Sequence, residues 1–111
     1  MERELKKRLQ DILYAIERIN IHLSKINSFN EYKSDVTVKG AVERDLGIIG
    51  EAVVQIKKIF PDIKISSIQK IISFRNLIIH AYDSVNDDTV WLTATKHLPV
   101  LKSEVEKLLT E

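Results

Sequence analysis

Four side chains that donate, accept or move protons stand inside one apolar run. The stretch KIISFRNLIIHAYDSVNDD, residues 70–88, carries Arg75, Asn76, His80 and Tyr82 among Ile71, Ile72, Phe74, Leu77, Ile78 and Ile79. A helix packed wholly inside a core gains nothing from such groups, and a solvated helix would not keep so many isoleucines. Histidine titrates near neutrality and can move a proton. Arginine donates two hydrogen bonds to phosphate oxygens and stabilises the charge that builds on them. Together they suit phosphodiester chemistry. RNA carries its own nucleophile, the 2′-OH, so its cleavage needs no metal. Metal ligation has little support: His22, His80 and His97 fall in three separate segments, and no H-E-x-x-H or paired-carboxylate spacing occurs. The same side chains would also serve a polar interface between subunits. Composition and spacing leave both readings open.

Helix geometry limits how these groups meet. At about 100° per residue, Asn76 and His80 lie about 40° apart and Arg75 and Tyr82 about 20° apart. Arg75 and His80 are separated by about 140° and by about 7.5 Å along the axis. One straight helix does not aim both at a common spot. Either the helix loosens near His80, or Arg75 reaches round, or a second copy supplies the missing group across a two-fold axis. The expectation is a homodimer with its 70–82 helices near the axis.

The elements that must position these residues are readable from periodicity. Leu5, Leu9, Ile12, Ile16, Ile19, Leu23 and Ile26 follow alternating spacings of four and three, the seam of a long amphipathic helix over 3–27. Residues 27–35 read as a loop ending in a cap at Ser34 or Asp35. A second long helix is expected from about Val36 to Phe60, ended by Pro61. It holds all three glycines of the chain. Gly47 and Gly50 share a face there and let another helix approach closely. Residues 61–67 read as a connector with Ser66 or Ser67 as the next cap. The motif helix spans about 67–81, and DSVNDD breaks it. Asp87 or Asp88 is expected to cap a last helix over about 89–109, with Trp91, Leu92, Leu98, Leu101, Val105 and Leu108 inward. Pro99 should kink or split it. The reading is a single all-α domain over 1–111, an up-and-down bundle of four main helices.

Bulk properties are those of an ordinary soluble domain: 111 residues, 44% hydrophobic and 30% charged. No apolar run approaches the roughly 18 residues that suggest a membrane span, and the charged N-terminus MERELKKRLQ lacks the apolar stretch of a signal peptide. The absence of cysteine excludes disulfides and thiolate chemistry and fits a cytoplasmic location. Net charge is +1, from 17 Lys+Arg against 16 Asp+Glu. That excludes a broad basic coat for nucleic acid, so any contact with it should be local or pooled from several chains.

RNLIIHAY resembles the R-x4-H-x-Y signature of HEPN domains, with Arg75, His80 and Tyr82 on the three motif positions and Asn76 matching the asparagine that follows the arginine. AVERDLGIIGEAV (41–53) resembles the I-G-E-A helix of the HepT branch, and VWLTATKHLPVL (90–101) its closing W…LP.L segment. The resemblance covers roughly the whole chain in the expected order. It implies a HEPN-like helical bundle acting as a metal-independent endoribonuclease toxin without a cofactor. Arg75 and His80 would be its catalytic pair and Asn76 and Tyr82 its supporting residues. It also implies partners: a second copy, an RNA substrate, and an MNT-type nucleotidyltransferase antitoxin that attaches AMP to Tyr82. Glu51, from I-G-E-A, is a candidate polar neighbour. A departure lies before the motif helix, where many relatives carry Pro-Trp and this chain has KISSIQ. The other function in view is a noncatalytic HEPN module that binds a nucleotide or partners a nucleotidyltransferase.

Overall fold

The computed structural model describes residues 2–80 and 86–111, with Ile79 and His80 described as backbone only. The long seam forms α1, Arg3–Leu23, which the Glu2 carboxylate starts by accepting from the backbone N–H groups of Glu4 (2.8 Å) and Leu5 (3.0 Å). Leu9, Ile12, Ile16 and Ile19 are buried as the spacing requires, with Ala15 beside them. Capped by Asp35, whose Oδ1 accepts from Val38 N–H at 3.0 Å, α3 runs Val36–Ile59. The motif helix is α4, Ile68–His80.

Helix α3 packs on both α1 and α4, while α6 (Leu98–Thr110) packs on α1. The core joins Leu9, Ile12 and Ile16 of α1 with Leu46, Ile49, Val53 and Ile56 of α3 and Leu98, Leu101 and Val105 of α6. The all-α bundle with four long helices is therefore as the sequence indicated, with no strand among the described residues. Asp45, 3% exposed, is a charged group inside this packing. Arg18 Nε donates to its Oδ1 at 3.0 Å, so burial does not leave the carboxylate unpaired.

Residues 27–35 are not simply a loop. Phe29–Ser34 form the short α2. Ser28 Oγ accepts from Glu31 N–H, and the Glu31 carboxylate reaches back to the Asn27 N–H at 2.6 Å. This is a variant of the reciprocal S-x-x-E cap. The helix drives Tyr32 fully into the core, 5.4 Å from Trp91 between ring centroids. The Tyr32 hydroxyl has no hydrogen-bond partner among the described residues. Burial raises its pKa, and the nearby Glu43 and Asp87 charges add to the effect.

The last predicted helix is composite. α5, Asp87–Leu92, is capped by Asn86 and not by Asp87 or Asp88; Asn86 Oδ1 accepts from Asp88 N–H at 2.8 Å. A π-helical turn, Thr93–His97, follows, and the Leu98 N–H bonds back to the Thr93 carbonyl, five residues away. α6 then starts with Pro99 in its first turn, where a missing N–H is harmless. The expected break at Pro99 thus takes the form of a register change just before it. The change also alters which side chains face inward. Val90 and Ala94 are buried, whereas Leu92, expected inside, is 50% exposed.

Candidate functional site

α4 is held against α3 at one glycine. A Cβ on Gly50 would collide with Arg75 Cβ, and it would stand 2.6 Å from Cγ and 3.4 Å from Cα of that residue. Only a residue without a side chain lets α4 lie this close. Gly47 is not comparable: a Cβ there would meet Ile78 at an ordinary 3.8 Å. Close helix packing therefore rests on Gly50, and it fixes the root of the Arg75 side chain.

The far end of Arg75 is fixed as well. Its Nη2 donates to Glu51 Oε2, and its Nη1 donates to Asn76 Oδ1 at 2.8 Å. Glu51 Oε1 accepts from Gln55 Nε2 at 2.9 Å, one turn further along α3. These bonds hold the Glu51 carboxyl below the usual carboxylate range, the Gln55 amide first and the Arg75 guanidinium second. The sign follows: stability from the pairing is present above the ordinary carboxylate pKa and is lost only as pH falls through the lowered value. Arg75 Nε is buried and has no partner among the described residues.

The structure thus brings Arg75 and Asn76 together and adds Glu51 as the arginine's direct partner. Gln55 was not singled out from the sequence. Its signal was its place four residues after Glu51 on one helix face. His80 is the last residue of α4, and its side chain lies outside the described residues, as does all of Tyr82. Among the described residues no group of three His, Cys, Asp or Glu side chains could hold a metal ion. No helix there is long and apolar enough to cross a membrane.

A separate groove of about 520 Å³ runs between α4 and the α5–π segment, lined by Ile71, Phe74 and Leu77 on one side and Leu92, Thr93 and His97 on the other. Arg75 does not line it; its side chain is engaged on α3.

With this geometry the chain can be set beside known proteins. A family model described as Ribonuclease HepT-like matches residues 12–108. A Methanocaldococcus jannaschii protein provisionally named an RNase is 35% identical over 114 residues, which is 99% of this chain and 91% of that one. A Thermococcus cleftensis protein provisionally named ribonuclease HepT is 36% identical over 112 residues, 97% and 98% of the two chains. A third relative, from Caldanaerobacter subterraneus and also provisionally named an RNase, is 35% identical over 103 residues, 91% of this chain and 87% of its own. No solved structure matches at comparable significance.

Proposed function

We propose, from the premise that this chain belongs to the HepT-like ribonuclease family and is a ribonuclease, that it cuts RNA internally without a metal and serves as the toxin of a toxin–antitoxin pair. The observation that carries the reading is Arg75: a guanidinium gripped by Glu51 and Asn76, with N–H donors to spare, on the helix that ends at His80. In the mechanism, the ribose 2′-oxygen attacks the adjacent phosphorus. His80 takes the 2′-OH proton, and the bond from phosphorus to the 5′-oxygen breaks. The His80 of a second copy protonates that leaving oxygen. Arg75 donates to the nonbridging oxygens as they gain charge. The products are a 2′,3′-cyclic phosphate and a 5′-hydroxyl.

A homodimer fits this scheme, because one α4 offers a single His80. The apolar groove beside α4, with Phe74, Leu77 and the half-exposed Leu92, gives a second copy an apolar surface to cover. Cleavage is expected from a species that light scattering sizes as a dimer at micromolar concentration. It should persist in EDTA and fail on RNA methylated at the 2′-oxygen of the cut site. A requirement for Mg²⁺ with 3′-hydroxyl products would overturn the mechanism.

The reading extends to neutralisation by an MNT-type nucleotidyltransferase that attaches AMP to Tyr82. AMP on Tyr82 adds a negatively charged phosphate to the same motif as Arg75 and His80, and the attached base obstructs RNA. Co-expression with the nucleotidyltransferase should raise the intact mass by AMP units, and Tyr82→Phe should abolish the rise. AMP mapped to another residue counts against this part of the reading.

A further inference from the structure

The guanidinium assigned to the RNA phosphate is already ion-paired in the free protein, and its partner carboxylate has a partner of its own. We propose that Glu51, oriented by Gln55, is a positioning residue for Arg75: it grips one corner of the guanidinium and leaves other donors free for phosphate. The inference rests on the ribonuclease reading and deepens it.

Donor counting separates this role from simple neutralisation. A guanidinium carries five N–H groups. One goes to Glu51 and one to Asn76. The Nε–H is buried without a partner, which leaves one N–H on each terminal nitrogen. Those two are the donors left for a phosphate. Arginine–carboxylate pairs frequently use both carboxylate oxygens. Glu51 gives Arg75 only Oε2, while its Oε1 accepts from Gln55 Nε2 at 2.9 Å. Gln55 therefore orients the carboxylate, and Glu51 holds Arg75 at a single point.

The remainder of the arrangement points the same way. Arg75 is pinned at its root by the α3 backbone at Gly50 and at its tip by the next residue, Glu51. A long side chain fixed at both ends loses its rotamer freedom on folding and not when substrate arrives. The negative charge of Glu51 weakens the pull of Arg75 on phosphate only modestly, because its side chain is 42% exposed and water screens it. Orientation outweighs that loss. The Glu51 carboxyl, held low by the two bonds it accepts, stays ionised through the ordinary working range.

The test uses Glu51→Ala, Glu51→Asp, Gln55→Ala and the double variant Glu51→Ala/Gln55→Ala of the full chain, with RNA cleavage rates, thermal midpoints and nitrogen-15 NMR of the Arg75 guanidinium. Glu51→Ala should lower kcat by about 10- to 100-fold, the scale for losing an orienting partner. KM and the thermal midpoint should change little. Glu51→Asp should fall between the two. Gln55→Ala should slow the wild type several-fold and have no further effect on Glu51→Ala, since it acts through that carboxylate. The guanidinium N–H signals should be distinct in the wild type and averaged in Glu51→Ala. A faster Glu51→Ala would overturn the proposal by showing that Glu51 competes with substrate. Additive effects of the two substitutions, or a rate loss that only tracks melting, would do the same. If the wild type cleaves no RNA, the ribonuclease reading fails, and the NMR comparison still decides the positioning: identical averaging in both proteins sinks it.

Discussion

His80→Ala should lower the RNA cleavage rate by roughly 10²–10⁴-fold, the usual scale for a lost general acid or base. Arg75→Lys should also be severely damaging, though it keeps the charge. A guanidinium that bonds Glu51 and Asn76 still has donors enough for two phosphate oxygens, whereas an ammonium has three donors on a single atom. If Lys takes the place of Arg75 in the pair with Glu51, too few donors remain to orient a phosphate. Arg75→Lys should keep the thermal midpoint close to that of the wild type, because Arg75 does not belong to the buried apolar core. Single-turnover cleavage beside a melting curve is the measurement. Full activity in His80→Ala would return the reading to a noncatalytic module.

Gly50→Ala should be costly in stability and in chemistry. The added methyl meets the Cβ and Cγ of Arg75. These atoms sit at the root of the side chain, so they yield only if α4 moves as a body. Overpacking of this kind costs about 1–3 kcal/mol. Any shift of α4 carries Arg75 off Glu51, and a misplacement of about 1 Å in a catalytic group can cost about 10²-fold in rate. Gly47→Ala and Gly40→Ala are the internal controls. A methyl at Gly47 reaches an ordinary contact, and one at Gly40 finds nothing within 4 Å. Each should be neutral or stabilise by up to about 1 kcal/mol, the ordinary gain from replacing glycine in a helix. Denaturant midpoints for the three variants should split two against one. A Gly50→Ala protein as stable and active as the wild type would show that α4 rests elsewhere.

Much of this architecture was readable because a helix seam is a local signal. The four-three spacing from Leu5 to Ile26 dictated α1, and its central members are the buried ones. The short α2 was missed although Ser28 and Glu31 stand at capping-box spacing, because six residues carry too little periodicity to register. Leu92 was misplaced because periodicity assumes one uniform winding, and the π turn breaks it. Glycine identity pointed to close approach, but only three-dimensional packing separates Gly50, in contact with Arg75, from Gly47. The site was readable in part. The sequence offered Arg75 and Asn76 directly and Glu51 through a resemblance. It could not show that Glu51 bonds Arg75, because the two are 24 residues apart and meet only when α3 and α4 pack.

The π turn at Thr93–His97 makes chain length negotiable at one place in the bundle. Val90 and Leu98 are both buried, yet eight residues of plain α-helix would set them about 80° apart. The extra residue in the wider turn absorbs one step of about 100° and brings them to within about 20°. A version shorter by one residue here keeps the same inward face with seven residues of ordinary helix. It would also return Pro99 to a helix interior, where the ring costs about 3 kcal/mol. The residue count of this segment and its proline are therefore a linked pair: a homologous chain that sheds one should shed the other, and one that keeps Pro99 should keep its surplus residue.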